Sequence, residues 1–189
     1  MYNKINITEN NLQVLSLFTN GFDKEYYIRE VEKILKISPR TAQLILEDLE
    51  NKGIVESKTR GKIKSYKLKL NELSKRYFVF VEQYKTISFM EKNLLIKEVI
   101  EKISPFIEGI GIIFGSYVKS TSNKESDLDI FIAGEYEKEE IKKVSSTLGI
   151  EISVKCYPLK TFEKNLTQDI LVKEVLKNHI VFKNVEMFI

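Results

Sequence analysis

A Gly-Ser pair at 115–116 and two aspartates, Asp127 and Asp129, constrain this 189-residue chain more than any other feature. An apolar, strand-like run ends at the pair, a polar segment follows, and a second apolar run carries the aspartates. Because residues two apart on an extended strand project from the same face, the two carboxylates are expected side by side, with Leu128 and Ile130 facing a core. Paired carboxylates opposite a Gly-Ser turn are typical of a site for a divalent metal and a nucleotide.

Composition places few further limits on the chain. A hydrophobic fraction of 43% and a charged fraction of 30% are ordinary for a soluble globular protein. No run approaches the roughly 18 apolar residues that predict a membrane span, and the polar start MYNKINITENN does not resemble a secretory signal. Because Cys156 is the single cysteine, an intramolecular disulfide and a cysteine-based zinc site are excluded. We expect a cytoplasmic protein with no membrane partner.

The first 70 residues predict three helices. Thr8 is a good cap for a helix that ends near Gly21, and a second helix is expected over residues 28–35, with Ile34 among its core-facing residues. The third helix has the clearest start, with Ser38 as its cap and proline in the first helical position, and it ends before Gly53. Its predicted core face consists of Ala42, Ile45, Leu46 and Leu49.

A basic β-hairpin is expected after the third helix. Residues 54–70 alternate in polarity around a Thr-Arg-Gly turn. The same segment holds six basic side chains against one acidic side chain, which indicates an electrostatic surface for a polyanion. The alternative is a hairpin whose lysines are simply solvated.

The order helix, helix, short turn, helix and basic hairpin resembles the MarR/ArsR-like winged helix-turn-helix regulators. The resemblance is carried by YIREVEKILKISPRTAQLILEDLENKGIVESKTRGKIKSYKL and covers almost all of residues 8–70. It implies that the third helix enters the major groove of duplex DNA and that the hairpin lies along the phosphates. The implied base-contacting residues are Arg40, Thr41 and Gln43, and the implied phosphate-contacting residues are Lys58, Arg60, Lys62 and Lys64. The alternative is a winged helix used for protein contact or dimerisation.

Residues 72–104 are expected to be helical, because apolar residues recur there at helical spacing. The aromatic residues Tyr77, Phe80 and Tyr84 are read as core or as a dimer interface rather than as a platform for stacking bases. We predict a DNA-binding domain over residues 1–70, a helical connector over 71–104 that joins two copies in a homodimer, and a third region over 105–189.

From Glu108 onward strands and helices alternate. Strands are expected over residues 109–114, 128–133, 150–156 and 179–183, and helices over 137–147, 159–165 and 168–177. This order predicts a domain built on a mixed sheet. The fold class of the whole chain is therefore expected to be α+β.

In this region the run Gly115-Ser116-Tyr117-Val118-Lys119-Ser120, followed by Ser126-Asp127-Leu128-Asp129-Ile130, resembles the minimal nucleotidyltransferases of the DNA polymerase β superfamily. Those proteins carry Gly-Ser, a short helix and then Ser-Asp-x-Asp on the next strand. The resemblance covers residues 108 to about 183. It implies ATP or another nucleoside triphosphate as substrate and a two-metal Mg²⁺ site, and magnesium prefers oxygen ligands such as carboxylates.

The resemblance also implies roles for individual residues. The implied nucleotide-binding residues are Gly115, Ser116, Lys119 and Ser126, and the implied catalytic and metal-binding residues are Asp127, Asp129 and Glu151. Glu151 stands where many members have Asp, and the alternative for it is a solvated strand residue. The family often shows Ala-Arg-Gly where this chain has Val118-Lys119-Ser120.

These features predict a DNA-binding protein with a domain that transfers a nucleoside monophosphate, expected to be AMP, to a hydroxyl group of a protein or another acceptor. Minimal members of the resembled family include antitoxins that modify a partner toxin, which makes a toxin one candidate partner. One alternative is a transcription regulator whose nucleotidyltransferase-like domain binds nucleotide without catalysis. Another is an RNA-modifying enzyme whose winged helix holds RNA. His179 and Cys156 are expected to be structural.

Overall fold

Two β-sheets, one of three strands and one of four, organise the part of the chain that the structure describes. The computed structural model describes residues 6–21, 23–119, 121–123 and 126–189. The chain divides into two compact units, Met1–Val81 and Glu82–Ile189. Among the described residues, no helix is long and apolar enough to cross a membrane.

The first unit contains the predicted helices and hairpin together with one further strand. Its elements are α1 (Glu9–Thr19), β1 (Glu25–Tyr27), α2 (Ile28–Leu35), α3 (Pro39–Asn51), β2 (Val55–Arg60) and β3 (Ile63–Leu68). The strands form an antiparallel sheet in the order β1-β3-β2. Strand β1 was not expected from the sequence, because three residues are too short to show an alternating pattern.

The capping of α3 follows from its sequence. The Ser38 hydroxyl accepts a hydrogen bond from the Thr41 backbone N–H at 3.0 Å, and a proline occupies the first helical position. All four predicted core residues of α3 are buried. In α2 only Val31 is buried, whereas Ile34 is 53% exposed, so the expectation that Ile34 faces the core is wrong. Val31 is flanked at helical spacing by Ile28 and Leu35, which are half-buried, and Ile34 lies outside that face.

The hairpin is tied to the end of α3 by residues at its middle and near its turn. The Glu50 carboxylate at the end of α3 accepts hydrogen bonds from the Ser57 hydroxyl and, at 2.7 Å, from the Lys64 ammonium. The Lys64 ammonium also lies 4.9 Å from the centre of the Tyr66 ring. The hydrogen bond to Glu50 raises the pKa of Lys64, and the bond from Lys64 lowers the pKa of Glu50. The ion pair therefore fixes the hairpin against the helix.

A long helix, α4 (Glu72–Lys92), continues from the first unit into the second. The other elements of the second unit are α5 (Leu94–Ile103), a short 3₁₀ helix (Ser104–Phe106), β4 (Ile107–Ile113), β5 (Leu128–Tyr136), α6 (Lys138–Leu148), β6 (Ile152–Tyr157), α7 (Leu159–Asn165), α8 (Ile170–Lys177), β7 (Ile180–Lys183) and α9 (Val185–Phe188). The sheet order is β6-β5-β4-β7. Strands β5 and β6 run parallel and the other neighbours antiparallel, so the sheet is mixed as predicted.

The four-stranded sheet buries both of its faces. On one face Leu128, Ile130 and Ile132 of β5 pack into a core with residues of α5 and α6. On the other face Phe131 lies 5.6 Å from the ring of Phe162 on α7. Alternate residues of β5 therefore face opposite layers, which confirms the predicted alternation along this strand.

A buried polar cluster lies within the second unit. The Lys85 ammonium is 2.8 Å from the Glu82 carboxylate, and His179 Nε2 lies 3.3 Å from both groups. His179 Nδ1 lies 3.0 Å from the carbonyl oxygen of Leu176. Because a carbonyl can only accept, Nδ1 carries the proton, and in the neutral ring Nε2 accepts from Lys85. Burial, followed by the charge of Lys85, lowers the pKa of His179.

The same cluster holds Glu82 in its charged form. Burial by itself raises the pKa of this carboxyl, but Lys85 and His179 beside it outweigh that effect and lower the pKa to about 2. Its contribution to stability is therefore complete above the ordinary pKa of 4.5 and is lost only as the pH falls toward about 2. Between pH 7.5 and 5.5 this carboxylate stays ionised in both the folded and the unfolded chain. Protonation of His179 therefore dominates the pH dependence of the free energy of unfolding in that interval.

We expect the free energy of unfolding to fall as the pH is lowered from about 7.5 to about 5.5. The unfolded chain binds a proton at the ordinary histidine pKa of 6.5, whereas the folded chain resists protonation of His179. The loss should reach about 1 kcal/mol between pH 6.5 and 5.5. Urea unfolding of wild type and His179→Gln at several pH values measures it. His179 is the sole histidine in the sequence, so the variant should flatten this pH dependence, and an unchanged slope would contradict the assignment.

Candidate active site

The two aspartates lie where β5 begins. Asp129 is the second residue of the strand and is half-buried, and Asp127 immediately precedes the strand and is exposed. Between and after them Leu128 and Ile130 are fully buried. The burial of these two residues anchors the start of β5 and places Asp129 on the opposite face of the sheet, and Asp127 is close enough for its charge to raise the pKa of Asp129.

Gly115 packs directly against the second aspartate. The Phe114 N–H donates a hydrogen bond to the carbonyl oxygen of Asp129 at 3.1 Å, which continues the β4–β5 pairing to the turn. Gly115 follows with φ +75°, a left-handed conformation that glycine adopts at low cost. A Cβ at this position would overlap the Asp129 carboxylate. Both the conformation and the close approach therefore require glycine here.

The residues after Gly115 form a turn. The Lys119 N–H donates to the Gly115 carbonyl at 3.2 Å, and the Thr121 N–H donates to the Ser116 carbonyl at 3.0 Å. Residues 115–119 form a turn, and not the short helix that the resemblance implied. Ser120 lies outside the described residues.

Ser126 stabilises the loop that precedes β5. Its hydroxyl accepts a hydrogen bond from the Asn123 backbone N–H at 2.8 Å, and its carbonyl oxygen accepts one from the Tyr117 hydroxyl at 3.3 Å. Ser126 therefore joins the end of the loop to the turn after Gly115. The half-buried Ser116 lies at the start of that turn, next to Gly115.

The charges around Asp129 are mixed. Burial raises the pKa of Asp129, and the like charge of Asp127 raises it further. Lys155 and then Lys119 act in the opposite direction. A cation bound between the two carboxylates would relieve their mutual repulsion, so the pair suits a metal ion.

Lys155 was missed by the sequence reasoning. In the parallel β5–β6 pair Asp129 lies opposite Ser153 and Phe131 lies opposite Lys155. Residues in register on neighbouring strands share a face, so Lys155 is the diagonal neighbour of Asp129 on the face that carries the carboxylates. Extending the alternation of Glu151 and Ser153 by two residues would have found it.

Glu151 lies just before β6 and is exposed. Its carbonyl oxygen accepts a hydrogen bond from the Leu128 N–H at 2.8 Å, which brings its backbone next to the first residue of β5. The charged groups that shift the pKa of Asp129 are Asp127, Lys155 and Lys119, and Glu151 is not one of them. Among the described residues, no three acidic, histidine or cysteine side chains form a group that could hold a metal ion.

Lys119 is held by a neighbouring helix. Its ammonium lies 2.6 Å from the carboxylate of Glu174 on α8. Both side chains are partly exposed, and the pair lowers the pKa of Glu174. Of the two lysines that act on Asp129, Lys119 is therefore already paired with an acid.

The residues implied to contact DNA lie on α3 and the hairpin. On α3 the Arg40 guanidinium donates to the Gln43 side chain at 3.2 Å, and the Thr41 hydroxyl lies 2.8 Å from that of Ser38. Gln43 in turn donates to Glu47 at 2.8 Å. Of the four residues near the hairpin tip that are implied to contact phosphates, Lys58, Arg60 and Lys62 are exposed, whereas Lys64 is half-buried and paired with Glu50.

Comparison with known proteins supports a nucleotidyltransferase domain. Residues 93–182 match the sequence model of the family described as "Nucleotidyltransferase domain". This range contains Gly115, both aspartates, Glu151 and Lys155. No curated protein matches the sequence significantly.

One solved structure is similar at low sequence identity. It is that of TrmBL2, described as an archaeal chromatin protein that shows a novel mode of DNA binding. The two proteins are 15% identical, the match covers 88% of this chain and 68% of that chain, and the TM-score is 0.30. A superposition of that quality does not establish a shared fold.

We expect Gly115→Ala to destabilise the second unit more than Gly149→Ala. Both glycines have positive φ, +75° and +64°, but a Cβ at 149 meets open space, whereas a Cβ at 115 overlaps Asp129. The free energy of unfolding should fall by about 1–2 kcal/mol in each variant because of backbone strain. In Gly115→Ala it should fall by about 1–3 kcal/mol more because of the overlap. Urea unfolding of both variants measures the difference. Equal losses would contradict the close approach of Gly115 to Asp129.

Proposed function

We propose that the second unit transfers a nucleoside monophosphate from a nucleoside triphosphate to a hydroxyl acceptor, with Mg²⁺ and with release of pyrophosphate. The observation that carries this proposal is the position of Asp127 just before β5 and of Asp129 on it, where Gly115 packs against Asp129. The family match over residues 93–182 supports the same reaction class. In this reaction Gly115 lets the triphosphate approach the backbone, and Ser116 offers a hydroxyl and an N–H to it.

The residues present fit one magnesium ion. Magnesium is commonly held by one or two carboxylates together with substrate phosphates, and Asp127 and Asp129 supply the carboxylates. Bound there, Mg²⁺ would neutralise charge on the phosphate oxygens. The two aspartates would hold the Mg²⁺ through which the triphosphate is oriented, and Glu151 is proposed as the third acid, which accepts the proton of the attacking hydroxyl.

We also propose which nucleotide is the donor and what kind of group is the acceptor. We propose ATP as the donor, which makes AMP the transferred group. The proposed acceptor is a hydroxyl group of a partner protein, a toxin among the candidates, and this step is supported by the family resemblance alone.

We expect transfer of label from α-labelled ATP to an acceptor protein in the presence of Mg²⁺. Asp127→Asn/Asp129→Asn should reduce transfer to background, because the two carboxylates hold the metal and the triphosphate. Glu135→Gln is the matched control, since Glu135 is an exposed carboxylate at the far end of the same strand. Gel autoradiography of wild type and both variants measures the transfer. Transfer that survives in the double variant would contradict the proposal.

A second candidate function is nucleotide binding without turnover, as in a transcription regulator that senses nucleotide. It is favoured by one observation: among the described residues, no third acidic side chain joins the two aspartates to form a metal-binding group. ATP binding that depends on Asp127 and Asp129 but yields no transfer with any acceptor tested would support this function in place of the first.

We also propose that the first unit is a winged helix-turn-helix that binds duplex DNA. Its order of elements, α1-β1-α2-α3-β2-β3, and its antiparallel three-stranded sheet support this proposal. Helix α3 would present Arg40, Thr41 and Gln43 to base edges, and the hairpin would contact phosphates.

We expect the basic hairpin tip to set the salt dependence of DNA binding. Lys58→Ala/Arg60→Ala/Lys62→Ala should reduce the slope of log affinity against log salt by about 2 to 3, since each lost phosphate contact removes about 0.9. Lys64→Gln is the comparison variant and should change the slope by less than about 1, because this lysine is paired with Glu50. Fluorescence anisotropy on a mixed-sequence duplex at several salt concentrations measures both. Equal effects of the triple and the single variant would contradict this division.

Two copies of the chain are proposed to associate through α4 and α5. Leu73, Phe80 and Ile87 of α4 are 49%, 46% and 58% exposed and recur every seven residues, the repeat of helices that pack in pairs. Leu94 at the start of α5, a separate helix, is also exposed, at 71%. Sedimentation velocity at micromolar concentration should therefore give the mass of a dimer, and Phe80→Glu/Ile87→Glu should give a monomer. A monomeric wild type would contradict the proposal.

A further inference from the structure

We infer that Lys155 binds the phosphates of the nucleotide in the site formed by Asp127 and Asp129. The inference rests on the proposed function, because it names a further residue of that same nucleotide site. Nothing in the Gly-Ser and Asp-x-Asp pattern assigns a role to this lysine, which belongs to the neighbouring strand.

The first support is position. Lys155 lies opposite Phe131 in the parallel β5–β6 pair, two residues beyond the position opposite Asp129. A diagonal neighbour on the same face is within reach of a long side chain. Lys155 is also exposed, so its ammonium can reach a ligand that enters from solvent. The position therefore brings a cation to the rim of the carboxylate site.

The second support is the balance of charge. A nucleoside triphosphate adds about four negative charges to a site that already contains two carboxylates, and one Mg²⁺ compensates only two of them. Further positive charge is needed close to the phosphates, and a lysine is a common phosphate ligand. Of the two lysines near Asp129, Lys119 is paired with Glu174 at 2.6 Å. Lys155 forms no ion pair within the described residues, and its charge remains available to a phosphate.

The third support is that β6 places a serine and a lysine, and not an acid, beside Asp129. The residue opposite Asp129 on this strand is Ser153, and the next residue on the same face is Lys155. A second metal ion at Asp129 would lie close to the lysine ammonium and would be repelled by it. Lys155 thus supplies at this edge the positive charge that a second ion would otherwise provide.

Isothermal titration of the full-length protein with ATP and with adenosine, each with Mg²⁺, tests the inference. Lys155→Met should weaken ATP binding by about tenfold, and Lys155→Arg should restore most of the affinity. The affinity for adenosine should stay unchanged, because adenosine has no phosphate. Lys138→Met is the matched control. Lys138 is also exposed, and it lies on α6, which packs on the opposite face of the sheet.

The outcomes separate this inference from the proposed function. If wild type binds ATP but Lys155→Met binds it as well as Lys138→Met does, the inference is overturned and the nucleotide site stands. If Lys155→Met weakens adenosine binding as much as ATP binding, the lysine does not act through the phosphates, which also overturns the inference. If wild type binds no ATP with Mg²⁺, both the proposed function and the inference fail. Circular dichroism melting of each variant confirms that it is folded.

Discussion

The pairing of β5 with both of its neighbours is the constraint on which the site depends. Antiparallel pairing with β4 brings the Gly115 turn against Asp129, and parallel pairing with β6 brings Lys155 to the same face. The register is fixed by burial, because a slip of one residue would turn Leu128 and Ile130 out of the core and both carboxylates into it. Opposite faces of β5 therefore contribute to the hydrophobic core and to the polar site, so a shift in the register of this strand would disrupt both.

Much of this arrangement could be predicted from the sequence. The alternation along β5 predicted that the two aspartates share a face, and the cap at Ser38 and the glycines after helices marked the ends of elements. What could not be predicted depends on residues distant in sequence. Strand β1 exists only because it pairs with β3, and the position of Lys155 follows from the register between two strands. The turn over residues 115–119 also differs from the helix that family resemblance implied.

Two groups of charged residues in the second unit differ in how their charges are compensated. In the buried cluster the opposite charges of Glu82 and Lys85 compensate each other within the protein, and the imidazole of His179 beside them is neutral. At the candidate site Asp127 and Asp129 are like charges without a full internal compensation. A protein tolerates like charges side by side where a ligand completes the balance. The contrast between the two clusters is the physical reason for assigning structure to the first and function to the second.

The ion pair between Glu50 and Lys64 has a consequence for the energetics of recognition. It joins the hairpin, near its turn, to the end of α3 within the first unit, so the two surfaces proposed to meet DNA are already held in one geometry. Little backbone entropy remains to be lost when a partner binds, and the ordering cost falls mainly on the side chains of Lys58, Arg60 and Lys62. Lys64, which is the basic residue least available to phosphate, thereby lowers the entropic cost at which the other basic residues of the hairpin bind DNA. It does so by making the hairpin rigid and not by its own charge.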